Sequence, residues 1–273
     1  MAHTGRYFIP ILAQGRDTIA AAGRYVPRRL EKKGNSDGEG PDVMNHRSFG
    51  SDGPQGPINE CIRCGTCCRK GGPSLHREDR ALLEQGHIRL DELYTIRAGE
   101  PAHDNVRGGL VPAPSDIIKI RGRKGSWMCL FLEEADNRCR IYAHRPIECR
   151  RLKCWDTRDL EKMYAQDRLT RRDLVGSVEG LNDLIETHHR RCSYAKIREY
   201  AEAMRKGRRN SAEEELMEMI RYDLHLRRIV PAKAQVDPQM LAFFFGRPLV
   251  ETIEGCGVRV RRTKGGMRLE VCR

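Results

Sequence analysis

The stretch CIRCGTCC at residues 61–68, answered downstream by CLFL at 129–132 and CRIYAHRPIECR at 139–150, decides how this chain reads. Four cysteines within eight residues, flanked by arginine, glycine and threonine, would make a poor hydrophobic core, although a lone buried cysteine behaves as a small hydrophobe. Three thiolates at two-residue spacing on a turning loop can converge on one inorganic centre, and Gly65 lets the backbone fold closely around it. Adjacent side chains tend to diverge, so Cys67 and Cys68 are expected to serve different sites or different roles.

The second group is Cys129, Cys139, Cys149 and Cys154. If 127–132 and 139–142 pair as a hairpin, Cys129 and Cys139 fall near opposite positions, about 5 Å apart at Cβ. Pro146 suits the first turn of a short helix carrying Cys149, with Cys154 off that face or just past its end. Eight thiols in two groups of four point to two tetrathiolate sites, or to one site plus structural thiols. Disulfides are the competing reading.

The ordered pattern CIRCGTCC, GG, CLFL, CRIYAHRPIECR and a final Cys154 resembles the YkgJ-type cysteine-cluster family, the CxxCxxCC zinc- or iron-chelating domain. The resemblance spans about residues 60–155. It implies metal chelation by Cys61, Cys64, Cys67, Cys68, Cys129, Cys139, Cys149 and Cys154, and no particular reaction.

Thiolates suit both zinc and iron–sulfur centres. Zinc ribbons usually present paired C-x2-C or C-x4-C units. A three-cysteine run with a distant fourth ligand leans towards an iron–sulfur cluster, with zinc or mononuclear iron as the alternative. The C-x3-C-x2-C spacing of radical enzymes using S-adenosylmethionine is absent. So are a Walker loop, a nucleophile elbow, HExxH and a dinucleotide-binding glycine fingerprint. His188, His189 and Cys192 have the helical spacing of a further metal site, against the simpler reading of cations complementing a helix C-terminus. His144 reads as exposed. Cys256 and Cys272 read as bystanders, which hairpin pairing would bring near each other.

The chain has 273 residues with eleven cysteines and a formal charge of +12. The excess is spread as net +1, +6 and +5 over 1–60, 61–155 and 156–273, whereas a nucleic-acid binder usually concentrates it. The basic runs Arg24–Lys33, Arg205–Arg209 and Arg259–Lys264 are the candidates for such contact. A tetrathiolate zinc site or an oxidised four-iron cluster carries about −2, so two of them would leave roughly +8. Arg63, Arg69, Arg140, Arg150 and Arg151 beside the cysteines are candidates to balance that charge. The apolar run Tyr7–Ala13 is too short for a secretory signal and no segment is long enough to span a membrane. A reducing, cytoplasmic setting is the expectation, in which clustered thiols serve as ligands or redox groups.

The chain reads as α+β. Residues 1–59 are expected to be a disordered tail, with a disordered linker at 31–59 and a short helix at 18–26, and 60–155 the cysteine-cluster domain. Residues 156–230 are helical, and 231–273 add a short helix and a β-hairpin turning at Lys264–Gly266. Ser74 is expected to cap a helix ending at Gly86, and Ser211 with Glu214 to open one ending near Arg228 before Pro231. Residues 117–120, 127–132 and 139–142 read as strands. Two functions compete. One is a cluster protein in electron transfer or cluster-dependent catalysis, with a redox or protein partner and no named catalytic residue. The other is a zinc-stabilised module binding nucleic acid or an acidic protein.

Overall fold

The computed structural model describes residues 61–272 apart from 124 and 209. The expected tail, linker and short N-terminal helix lie outside the described residues. The architecture is α+β: short helices and antiparallel two-stranded ribbons wrap two apolar cores.

The ribbon nearest the cysteines pairs β1 (Leu93–Ile96) with β4 (Ile117–Ile120), Leu93 opposite Ile120 and Ile96 opposite Ile117, and a second ribbon between them in sequence pairs β2 (Pro101–His103) with β3 (Leu110–Pro112). Residues 73–75 lie along the free side of β4, with Leu75 N–H on the Ile118 carbonyl at 2.8 Å and Ile120 N–H on the Pro73 carbonyl at 3.0 Å. Gly72 makes this approach feasible, since a Cβ there would sit 2.3 Å from the Ile120 carbonyl oxygen. Ser74 is thereby spent on a bridge to Lys119 and does not cap the helix. The chain turns instead after His76, through a 3₁₀ turn at Arg77–Asp79 into α1 (Arg80–Glu84), which stops before Gly86 as expected.

Residues 127–132 and 139–142 meet antiparallel only at Leu132 and Cys139, not in the expected register that sets Cys129 opposite Cys139. Cys129 stands opposite Gly122 and Cys139 opposite Leu132, each as a single bridge. The cause is local. Leu132 N–H folds back on the Cys129 carbonyl at 3.0 Å and Tyr142 N–H on the Cys139 carbonyl at 3.1 Å, so each segment curls directly after its cysteine.

α2 (Ile147–Arg151) follows Pro146, as expected. The apolar repeat from Leu174 to Ile185 is broken by the turn at 176–180 and resumes in α3 (Leu181–Arg191), followed by α4 (Tyr194–Arg205). α5 runs Asn210–Ala234 and passes through Pro231 rather than ending before it. An internal proline costs about 3 kcal/mol. Burial of Leu226 and Val230, with Ile229 and Ala234 packed on the same core, opposes that cost. α6 (Leu241–Phe245) buries all three phenylalanines against β1 and ends at Gly246, φ 71°. A Cβ on Gly246 would lie 2.9 Å from the Thr95 carbonyl oxygen. The terminal hairpin pairs β5 (Val258–Thr263) with β6 (Gly266–Val271) around Lys264–Gly265, as expected.

The larger core takes residues from both sides of position 155, including Leu75, Ile118, Phe131, Leu169, Leu226 and Phe244. A buried polar knot ties the helical part together. Asp223 on α5 accepts from His188 Nε2 at 2.8 Å, from Arg227 Nε at 3.0 Å and from Leu249 N–H at 3.0 Å. Burial holds His188 down at about 4 against the pull of Asp223. The neutral tautomer fits, because Nε2 carries the donated proton and the buried Nδ1 has no partner that could accept a second one.

The folded pKa of His188 lies below its ordinary value of about 6.5, so the unfolded chain binds this proton first. Its contribution to stability is intact above about pH 6.5 and falls as pH drops towards 4, by on the order of 3 kcal/mol. Urea unfolding of wild type and His188→Gln between pH 7.5 and 4 should show a pH slope that the variant loses. Parallel slopes would reject the assignment.

Candidate metal centre

In the first group Cys67 and Cys68 sit on a backbone curl, with Cys61 and Cys64 in the irregular segment before it. A short helical turn at Thr66–Arg69 follows Gly65, which is left-handed at φ 74°, and Lys70 N–H returns to the Cys67 carbonyl at 3.2 Å. The link between the two groups is direct, with Cys129 N–H donating to the Cys68 carbonyl at 2.7 Å. Cys149 rides on α2. The N-terminal N–H of that helix, on Ile147, is held by the Asp79 carboxylate at 2.8 Å, while the second Asp79 oxygen accepts from His76 N–H at 2.9 Å. Cys154 lies in a turn bracketed by the Lys153–Asp156 bridge.

Each of the eight expected cysteines lies within electrostatic reach of at least one other of them. Burial pushes Cys149 well up, and the charges of Cys129, Cys67 and Cys139 push it further. Burial also raises Cys129, whose next contributors include Cys139 and Cys67. Cys139 is raised by burial and by Cys61. Cys154 is raised by burial and then by Cys64, Cys67 and Cys61. The other three cysteines have different neighbours. Cys192 is buried in the second core with its thiol on the Met219 carbonyl, and Cys256 is buried near Arg198. The backbone of Cys272 pairs with that of Gly257 in the hairpin.

Cys67 and Cys68 do not diverge. Their sulfurs are 3.9 Å apart, because the helical turn at 66–69 swings consecutive side chains round one side of the loop. The shared hydrogen bond pulls the Cys67 thiol down to about 6, helped by Arg145, while Cys68 keeps its proton and is pushed up. Two sulfurs on one tetrahedral ion with metal–sulfur bonds of about 2.3 Å stand about 3.8 Å apart. The pair matches that edge. Among the described residues, no three cysteine, histidine, aspartate or glutamate side chains close on a single point at ligand distance. A cation would draw the sulfurs together while displacing the protons they carry.

A buried polar cluster stands behind Cys149 that the sequence reading missed. Glu148 accepts from Ser74 N–H at 2.6 Å and lies 3.2 Å from His76 Nε2; His76 Nδ1 meets the Gln166 carbonyl at 2.7 Å. Burial opposes the charge on Glu148, but His76, Lys119 and the Ser74 N–H hold it below the usual carboxylate range. Its position inside RPIEC, next to a ligand candidate, was the available signal.

The histidine candidates resolve differently. His188 Nε2 is bound to Asp223, the Cys192 thiol is turned to the Met219 carbonyl, and among the described residues no three ligand side chains converge there. His144 is exposed, as expected, and stacks on His87 with ring centroids 3.5 Å apart. In the basic run 259–264, Arg259 and Arg261 pair with Glu254 and Glu270 at 3.1 and 3.0 Å. No helix among the described residues is long and apolar enough to cross a membrane.

The sequence model of the family CxxCxxCC, described as a "putative zinc- or iron-chelating domain", matches residues 60–207, more than half of the chain. The match extends past residue 155 through α4. No curated protein and no solved structure matches the chain.

Proposed function

The chain belongs to the CxxCxxCC zinc- or iron-chelating family, and from that premise we propose that Cys61, Cys64, Cys67, Cys68, Cys129, Cys139, Cys149 and Cys154 are its metal ligands. The reading is a metal-binding module in which thiolate-bound zinc or iron joins the loop 61–68 to the segments 129–154. The 3.9 Å contact between Cys67 and Cys68 carries it, because that separation suits two thiolates on one tetrahedral ion. The donor set is soft and anionic, which fits these metals and excludes hard cations such as magnesium and calcium. Bound metal supplies positive charge that keeps the buried thiols deprotonated. The chain's part is to place Cys67 and Cys68 on a helical turn and Cys149 on α2, and to keep Cys129 away from water. All the described cysteines are free thiols, a state that suits a reducing compartment such as the cytoplasm.

A second reading, an iron–sulfur cluster in electron transfer or cluster-dependent catalysis, rests on the C-x2-C-x2-C spacing of Cys61, Cys64 and Cys67. Elemental analysis with acid-labile sulfide on anaerobically prepared protein separates the two. Zinc or iron without sulfide is the expected result. Brown protein with matching iron and sulfide would move the assignment to the cluster, and protein without metal would sink both. Cys256→Ser, remote from the eight, should keep the full metal content.

A further inference from the structure

Of the arginines that flank the cysteines, most are already engaged. Arg140 pairs with Glu133 at 3.3 Å and Arg150 with Glu78 at 2.7 Å, and Arg69 donates to the Cys64 carbonyl at 3.1 Å and to Asn137. Arg151 lines a cleft with Asp159 and Lys162. Arg63 and Arg145 differ from these, because they meet on one ring. The guanidinium carbon of Arg63 lies 4.7 Å from the centroid of Tyr142, and that of Arg145 lies 3.7 Å from it. Neither has a carboxylate at ion-pair distance among the described residues. The Arg145 Nε donates to a neutral carbonyl, that of Tyr142, at 2.9 Å.

Gathering two permanent cations on one half-buried ring is unfavourable unless negative charge lies close by. The cysteines around them, deprotonated on binding metal, are one such source. Arg63 is inside the Cys61–Cys64 loop, Tyr142 N–H is bound to the Cys139 carbonyl, and the charge of Arg145 acts on both Cys67 and Cys139. Arg63 also occupies the left-handed region at φ 56°, which costs energy for a residue with a side chain. That conformation is retained in the loop that brings Arg63 over Tyr142.

We propose that Tyr142 is a platform holding Arg63 and Arg145 as counter-cations of an anionic metal–thiolate centre, joining the first cysteine loop to the second cysteine group. This rests on the eight-cysteine reading and adds to it. A tetrathiolate ion carries about −2, and two guanidinium groups lying outside the ligand shell offset that charge without taking a coordination position. Arg63, Tyr142 and Arg145 are positioning residues, since none donates a ligand atom.

The test is titration of anaerobic apo protein with Zn²⁺ or Fe²⁺ against a competing chelator, with the Co²⁺ absorption spectrum as a report on the ligand set. Arg145→Gln and Tyr142→Leu should weaken metal affinity by about 10–100-fold. Arg145→Lys and Tyr142→Phe, which keep the charge and the ring, should recover most of it. The Co²⁺ spectrum should keep its thiolate pattern throughout. Arg63→Gln guards against misfolding, because its side chain is exposed and its aromatic contact is confined to this ring. It should lose affinity about threefold or more. Arg63→Gln and Arg145→Gln both binding as tightly as wild type would overturn the counter-cation role alone. Wild-type protein that takes up neither metal would overturn this role together with the eight-cysteine reading.

Discussion

Cys67→Ser and Cys149→Ser are each expected to reduce bound metal to well below the wild-type content and to loosen the segments the metal joins. Thiolate-bound structural zinc contributes an apparent 10–16 kcal/mol at neutral pH in small domains, and that binding energy is folding energy. The region around residues 61–72 has little else to hold it, since all four residues of its helical turn lie outside the fully buried set. Cys67 is half of the sulfur pair at 3.9 Å, and Cys149 is packed next to Glu148 and α2, so neither loss is easily made good by a neighbour. Hydrogen exchange should show the Cys129 N–H, bound to the Cys68 carbonyl, opening early in the variants, while amides of α5 keep their protection. Full metal stoichiometry with unchanged protection in both variants would contradict the ligand assignment.

The second large effect lies far from the thiols. Asp223→Ala should destabilise the protein by about 3–5 kcal/mol, because it leaves the Arg227 charge, the His188 Nε2–H and the Leu249 N–H without their shared acceptor. Asp223 and His188 are both fully buried, so water cannot replace the lost carboxylate without rearrangement. Arg227 also donates to the carbonyls of Phe245, Gly246 and Arg247, which carries the damage into the turn after α6. Thermal unfolding of the metal-loaded protein should fall by roughly 10–15 °C. Metal content should stay at the wild-type level. A loss under about 1 kcal/mol would show that the knot is not a structural support.

Local chemistry was legible wherever neighbours in sequence act together. Gly86 and the Lys264–Gly265 turn end or reverse their elements as expected, because a stop or a hairpin turn needs few residues beyond its own. Reading failed where a distant segment claimed the backbone. Ser74 has the composition of a cap, but β4 recruits it into a bridge. Pro231 has the chemistry of a terminator, but burial on both sides carries α5 through it.

Spacing alone singles out eight cysteines as candidates, and in the structure Cys192, Cys256 and Cys272 sit with other neighbours. Spacing did not reveal how Cys67 and Cys68 face, since that depends on the helical turn of a four-residue stretch. Nor did it reveal which arginines remain free of carboxylates.

The sequence by itself determined the kind of chemistry, an ordered set of soft thiol donors in a basic α+β chain, because ligand type and spacing are covalent properties. Only the tertiary structure decided the register of Cys129 and Cys139, the burial of the Asp223 knot and the meeting of Arg63 and Arg145 on Tyr142. Each of these depends on which remote segments share one low-dielectric interior. There an unpaired charge or backbone group is costly, and the fold is selected by how those groups are satisfied together.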